Sequence, residues 1–92
     1  VVETPNTNGR VGTAILDSGS IVVSWIDTTN AARIMLSRYD TNGKFLGHTE
    51  VARSSESRRS GFPIIEAVGN SVFITWTDIS SVPQVKVARI DY

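Results

Sequence analysis

A motif of this sequence recurs after 51 positions. Ser24-Trp25-Ile26-Asp27 returns as Thr75-Trp76-Thr77-Asp78, and Ser37-Arg38-Tyr39-Asp40 returns as Ala88-Arg89-Ile90-Asp91. Two separated matches at one spacing indicate an internal repeat, and a repeat has to be recognised before any single element is assigned. We therefore divide the 92 residues into a first unit at 1–52, which opens with the end of a preceding strand at 1–3, and an incomplete second unit at 53–92.

Short runs of β-branched and apolar residues, separated by Gly, Asn and Asp, indicate an all-β chain. The turn signals Asp17-Ser18-Gly19, Asp40-Thr41-Asn42-Gly43 and Gly69-Asn70 contain residues that tolerate a positive φ, which favours antiparallel hairpins. The sequence predicts four strands in the first unit and three in the second: Thr13–Leu16, Ile21–Ile26, Ala32–Tyr39 and His48–Ala52, then Ile64–Ala67, Val72–Thr77 and Gln84–Ile90.

The second strand of each unit, at 21–26 and 72–76, is apolar at nearly every position. A half-buried strand would alternate, so this pattern indicates a sheet that is covered on both faces. A blade of a β-propeller lies between two other blades, and repeats of about 40 to 50 residues are typical of blades. We predict two consecutive four-stranded antiparallel blades, the second lacking its own fourth strand. They would belong to a six-bladed propeller or an oligomeric ring, completed by self-association, for example as a trimer, or by further polypeptide.

The composition limits the classes of partner. Nine basic and nine acidic side chains give a net charge of zero, which argues against binding to nucleic acid or to a membrane surface. The chain has no cysteine and one histidine, so we expect no metal and no cofactor. No apolar run approaches the roughly 20 residues that span a bilayer. The compartment stays open, although the content of Ser, Thr and Asn favours an extracellular or periplasmic protein.

Two stretches carry a family resemblance. The first contains Gly9-Arg10-Val11, Asp17, Gly19 and Val23-Ser24-Trp25; the second contains Arg59-Ser60-Gly61-Phe62-Pro63, Gly69, residues 72–78 and Val85-Lys86-Val87-Ala88. Together they resemble two late blades of the bacterial sialidase-like six-bladed propellers, a family with BNR repeats. The Asp-box of that family is not present, and its early arginine motif and its catalytic tyrosine and carboxylates have no matching motif here. The resemblance implies two blades without a complete catalytic site.

Arg10 and Arg59 are the candidate ligand-binding residues that this resemblance implies. Sialidase-like proteins bind a sugar carboxylate with converging arginines, because a guanidinium group binds a carboxylate through two hydrogen bonds. Asp27 and Asp78 follow the second strands and would lie on the same loop face of a propeller. The alternative is structural: the arginines would pair with the repeated aspartates of a neighbouring blade, and the aspartates would cap turns. Repetition of the aspartates favours this alternative.

Other residues that could carry chemistry have simpler structural interpretations. Trp25 and Trp76 lie in the most apolar strands, so we predict core packing and not a sugar-stacking platform. Tyr39 corresponds to Ile90 in the repeat, which favours packing over a nucleophilic role. We place His48 on an exposed outer strand. The segment from Asp40 resembles the start of a calcium loop, but it lacks the later glutamate and is predicted to be a hairpin turn.

These observations leave two hypotheses of different classes. The chain is part of a sialidase-like propeller whose loop face binds acidic carbohydrate, without glycosidase activity of its own. Alternatively, it is a structural or protein-interaction module that has no catalytic role. Under the first hypothesis a parent protein with further blades could be glycosidase-like.

Overall fold

The computed structural model describes residues 11–27, 33–53, 63–78 and 82–92. These residues form antiparallel strands and contain no helix, which confirms the all-β prediction. Arg10 and Arg59 lie outside the described residues. The seven strands are β1 (Gly12–Ile15), β2 (Ile21–Asp27), β3 (Arg33–Tyr39), β4 (Phe45–Arg53), β5 (Ile64–Val68), β6 (Ser71–Asp78) and β7 (Gln84–Asp91).

All seven predicted strands are present, and six of them begin and end within about one residue of their predicted limits. The exception is β4, which starts at Phe45, three residues before the predicted start at His48. A bulge explains the difference, because Tyr39 pairs with Phe45 while Arg38 pairs with Gly47. Gly47 has a φ of 138°, which a side chain would disfavour. A glycine at this position therefore obscured the strand in the sequence.

The first sheet has the strand order β1-β2-β3-β4 and is a simple antiparallel meander. Asp40 organises the turn between β3 and β4. Its carboxylate accepts hydrogen bonds from the backbone N–H groups of Asn42 and Lys44, at 2.8 and 2.9 Å. Gly43 completes this turn with a φ of 86°. The Asp40 segment is thus a hairpin turn, as predicted.

The second sheet has the strand order β5-β6-β7. A tight turn joins β5 to β6, and Gly69 adopts a φ of 61° there. Within the described residues β7 is an edge strand, since no other strand pairs with its outer side. Among the described residues the second unit therefore has three strands where the first has four, as the sequence predicts.

The two sheets pack face to face around a common apolar core. The buried residues of this core are Leu16, Val22, Ile34 and Leu36 from the first sheet and Val72 and Ile74 from the second. Trp76, Ala88 and Ile90 are partly buried against them. Burial of these side chains supplies the main attraction between the sheets, because each fully buried aliphatic side chain contributes about 1.5–3 kcal/mol.

The sheets meet through different faces of the repeat unit. Alternation along β2 turns Val22 and Ile26 toward the second sheet. Their counterparts 51 positions later, Phe73 and Thr77, lie on the outer face of the second sheet. The second sheet buries Ile74 instead, whose counterpart Val23 lies on the outer face of the first sheet. The stack is therefore directional.

Contacts between the turns fix how the sheets are aligned. The backbone N–H of Asp17 donates to the carbonyl oxygen of Gly69 at 2.9 Å, and the N–H of Ser18 donates to Oδ1 of Asn70 at 3.0 Å. Strands β2 and β6 both begin beside these turns and run away from them. Their last residues consequently lie at the opposite end of the stack.

Strand β1 approaches β5 closely at Gly12. A Cβ atom at this position would lie 2.7 Å from Oγ of Ser24 and 3.3 Å from Cγ1 of Ile65. The backbone N–H of Gly12 donates to the same Ser24 hydroxyl at 3.1 Å. A side chain at this position would displace the Ser24 hydroxyl and press against Ile65 of the second sheet, which favours glycine here.

Candidate functional site

Asp27 ends β2 and is held by a cation of the next strand. Asp27 lies directly opposite Arg33 in the register of β2 and β3. Nη2 of Arg33 lies 2.8 Å from Oδ2 of Asp27, and Nη1 lies 3.5 Å from Oε1 of Glu50 on β4. The Asp27 side chain is largely buried, so this ion pair compensates a carboxylate that has lost most of its water.

Asp78 ends β6 and has a similar arrangement with a different geometry. Nζ of Lys86 lies 2.7 Å from Oδ2 of Asp78. Lys86 is not the direct neighbour of Asp78 across the sheet, since Gln84 occupies that position. The contact is a diagonal one, and both side chains are more exposed than those of the Asp27 pair. The repeated aspartates thus each bind a basic residue of the following strand in their own sheet.

Arg33 has an unusual feature besides its two carboxylate partners. Its Nε atom is buried and has no hydrogen-bond partner within the described residues. The repeat did not reveal Arg33, because its counterpart in the second unit is the uncharged Gln84. The sequence does contain one indication of this pair. When β2 and β3 are aligned as a hairpin, Arg33 lies opposite Asp27, the last residue of β2.

The strand ends form the candidate loop face, and its described charges do not favour an anion. Three carboxylates, those of Asp27, Glu50 and Asp78, are engaged here by two cations. Binding of an acidic sugar at this end would depend on Arg10 and Arg59, which lie outside the described residues. Their convergence on a carboxylate stays a prediction, as do ligand contacts by Asp27 and Asp78.

The aromatic residues pack as the sequence predicts. Trp25 is buried, and its indole Nε1–H donates to Oγ of Ser37 at 2.8 Å. Trp76 is partly buried against the core between the sheets. Tyr39 is buried, with its ring centroid 5.7 Å from that of Phe45. In the described structure these side chains therefore serve packing.

A shallow cavity of about 210 Å³ lies beside β4 and was not anticipated from the sequence. Arg38 forms one wall, with its guanidinium carbon 5.0 Å from the centre of the Tyr92 ring. Burial raises the pKa of the Tyr92 phenol, and the nearby charge of Arg38 partly opposes this effect. The cavity is lined by Arg38, Leu46, Gly47, His48, Thr49 and Tyr92.

The outer face of the second sheet carries a polar cluster at one end. Oδ1 of Asp91 accepts hydrogen bonds from Oγ of Ser71 at 2.5 Å and from Nε of Arg89 at 2.7 Å. These bonds, with that of Ser71 the more important, lower the pKa of the Asp91 carboxyl. The Arg89 guanidinium also lies 5.8 Å from the centre of the Phe73 ring. Arg89 is thereby held on this face.

Two other kinds of site are absent from the described residues. Nowhere in the ranges 11–27, 33–53, 63–78 and 82–92 do three or more His, Asp or Glu side chains gather in a way that could hold a metal ion. The same ranges contain no helix that is long and apolar enough to cross a membrane.

Comparisons with protein-family models, with curated proteins and with solved structures found no significant match to this chain. The resemblance to sialidase-like propellers therefore rests on the sequence pattern.

Proposed function

We propose that the chain is a two-unit piece of a β-propeller-type stack whose role is protein–protein assembly. The observation that carries this proposal is the directional contact between the sheets. Units that meet through unlike faces leave one face of each kind at the ends of the stack, and repeat proteins grow in this way by adding neighbours. A module of this kind presents a face that is suited to another sheet.

The outer face of the second sheet supports this role. Val85 and Val87 occupy the positions that Ile34 and Leu36 have in the first unit. Ile34 and Leu36 are fully buried between the sheets, whereas 75% of Val85 and 63% of Val87 are exposed. Apolar side chains that are core in one repeat and exposed in the next mark a surface that accepts a protein partner.

The strand-end charges favour assembly over sugar binding as the role of the described residues. Asp27 and Asp78 are each engaged by a cation of their own sheet, which is what a structural role requires. An acidic-carbohydrate function would rest on Arg10 and Arg59 alone, through the resemblance to sialidase-like proteins.

The experiment that tests the proposal extends the chain by one repeat. Residues 42–92 are appended directly after Tyr92, which supplies a fourth strand for the second sheet and a third sheet beyond it. We expect a single urea transition with a higher midpoint and a larger dependence on denaturant, because more surface is buried in one cooperative unit.

A matched control carries Val87→Lys in the original unit of the extended chain, where the new sheet would pack. This change should remove the gain in midpoint, while leaving unaffected the midpoint of the unextended chain at a concentration where that chain is monomeric. Two separate transitions, with the first at the midpoint of the original chain, would refute the proposal.

A further inference from the structure

The outer face of the second sheet is an open apolar surface. We name it the open face and define it by the exposed apolar side chains Ile64, Val68, Phe73, Val85 and Val87. Their exposed fractions are 71, 63, 36, 75 and 63%. They come from all three strands of the sheet, and Ser71, Thr75 and Thr77 of β6 lie on the same face between them.

The corresponding outer face of the first sheet is not open. Trp25, Met35 and Tyr39 lie there and are only 7, 4 and 6% exposed. Head-to-tail association would require this face to receive the open face of another copy. The central side chains of the outer face of the first sheet are already buried. The open face of one copy therefore has its best counterpart in the open face of a second copy.

Two opposite charges of the open face, Glu66 and Arg89, lie on opposite sides of Phe73, and Arg89 also contacts the Asp91 carboxylate on its own strand at 2.7 Å. Glu66 on β5 and Arg89 on β7 are the direct neighbours of Phe73 across the sheet. Both are exposed. Two strand spacings separate them by roughly 10 Å, which is too far for an ion pair within one chain. Among the described residues no ion pair reaches Glu66.

We infer that a second copy of the chain covers the open face by packing its own open face against it. The two copies are related by a two-fold axis that runs along β6 between the sheets. This axis places β5 of one copy over β7 of the other, so that Glu66 faces Arg89 of the other copy twice. Phe73 meets its own counterpart at the centre.

Charge decides between the possible two-fold axes. The alternative two-fold axis also lies between the two sheets but crosses the strands at a right angle. It would place β5 over β5 and bring the two Glu66 carboxylates together. Like charges opposed in an interface are strongly unfavourable, whereas the axis along β6 opposes unlike charges. The interface is isologous, the arrangement that most homodimers use. This inference rests on the proposed function, because it takes the open face to be the assembly surface.

The test is the mass in solution, measured by light scattering after size exclusion across a range of concentrations. The chain is expected to be a dimer that dissociates on dilution. Glu66→Lys and Arg89→Glu should each raise the dimer dissociation constant by about tenfold or more, because each creates two like-charge contacts. The double variant Glu66→Lys/Arg89→Glu should restore the dimer, since it exchanges the two charges.

Two further variants keep the test decisive. Val87→Lys places an uncompensated charge in the interface and should give a monomer. This variant leaves the contact between Arg89 and Asp91 in place, which Arg89→Glu removes. Lys44→Glu changes an exposed charge in the β3–β4 turn and should leave the mass unchanged. Circular dichroism checks that each variant retains its sheets.

Three results would each overturn the inference: a monomer at every concentration, a trimer, or a dimer whose dissociation constant Glu66→Lys does not change. A trimer would instead indicate head-to-tail assembly. The repeat extension described above decides the proposed function separately: if the appended repeat stabilises the chain but the chain itself is monomeric, only the two-fold contact is wrong.

Discussion

Leu36 and Val87 occupy equivalent positions in the two repeat units, but Leu36 is fully buried between the sheets and Val87 is largely exposed. The difference comes from the direction of the stack, since the first sheet uses this face to cover the second and the second sheet has nothing described on it. Mutations at paired positions can therefore separate the effect of residue type from the effect of location.

Leu36→Ala should lower the free energy of unfolding by about 2–5 kcal/mol, because it leaves a cavity in the core between the sheets. Val87→Ala should change it by less than about 0.5 kcal/mol in the monomer. Urea unfolding at a concentration where the chain is monomeric measures both values. Equal losses at the two positions would mean that the sheets do not pack through unlike faces.

Ser37→Ala should destabilise the chain by about 1–3 kcal/mol, because it leaves the buried indole N–H of Trp25 without its acceptor. The change should also alter the fluorescence of that indole. Ser18→Ala, at an exposed position of the β1–β2 turn, is the control and should have little effect. An unchanged unfolding midpoint for Ser37→Ala would contradict the burial of this hydrogen bond.

The two strand-end ion pairs should differ in strength. Arg33→Ala leaves the largely buried Asp27 carboxylate with less compensation, and we expect a loss of about 1–3 kcal/mol. Lys86→Ala removes a more exposed pair and should cost less than about 1 kcal/mol. Thermal or urea unfolding of the two variants compares them, and a larger loss for Lys86→Ala would contradict the described burial.

Tyr92 should make the chain sensitive to alkaline pH. Burial raises the pKa of the phenol in the folded chain above the ordinary value of 10.0. Because the unfolded chain loses this proton first, the stability contributed by neutral Tyr92 is complete below that ordinary pKa and falls as pH rises through the folded pKa. Ultraviolet titration of the phenolate, with Tyr92→Phe as the control, measures the shift. A Tyr92 titration at or below the ordinary value would contradict its burial.

The acidic-carbohydrate hypothesis has its own test. If Arg10 and Arg59 bind a sugar carboxylate, calorimetry should detect saturable binding of a sialylated oligosaccharide, and Arg59→Ala should weaken it by about tenfold or more. The same oligosaccharide without its sialic acid carries no carboxylate, and Arg59→Ala should not weaken its binding. The absence of any binding to acidic glycans by the intact chain would remove this hypothesis.

Much of the fold follows from local sequence. The strands were predictable because apolar runs and turn residues act over a few positions, as Gly69-Asn70 does between β5 and β6. The start of β4 was missed because a bulge at Gly47 interrupts the pattern. The faces that pack together could not be read from the repeat alone, since both faces of β2 are apolar.

The candidate site was less accessible to sequence reasoning. Asp27 and Asp78 were found because they recur at the repeat spacing. The basic residues that bind them do not lie at equivalent positions of the two units. Arg33 lies directly opposite its aspartate, and Lys86 reaches its aspartate diagonally. Recovering such pairs requires the register of each hairpin, which depends on turn geometry and not on residue type.

The directional contact between the sheets also bears on how such a chain can lengthen in evolution. If the units met through identical faces, a tandem gene duplication would add a sheet with no complementary surface to meet. Because unlike faces meet, an added copy of residues 42–92 carries the face of Val72, Ile74 and Trp76, which already matches the exposed face of the second sheet. A single duplication event could therefore produce a longer stack without first requiring a new interface to evolve.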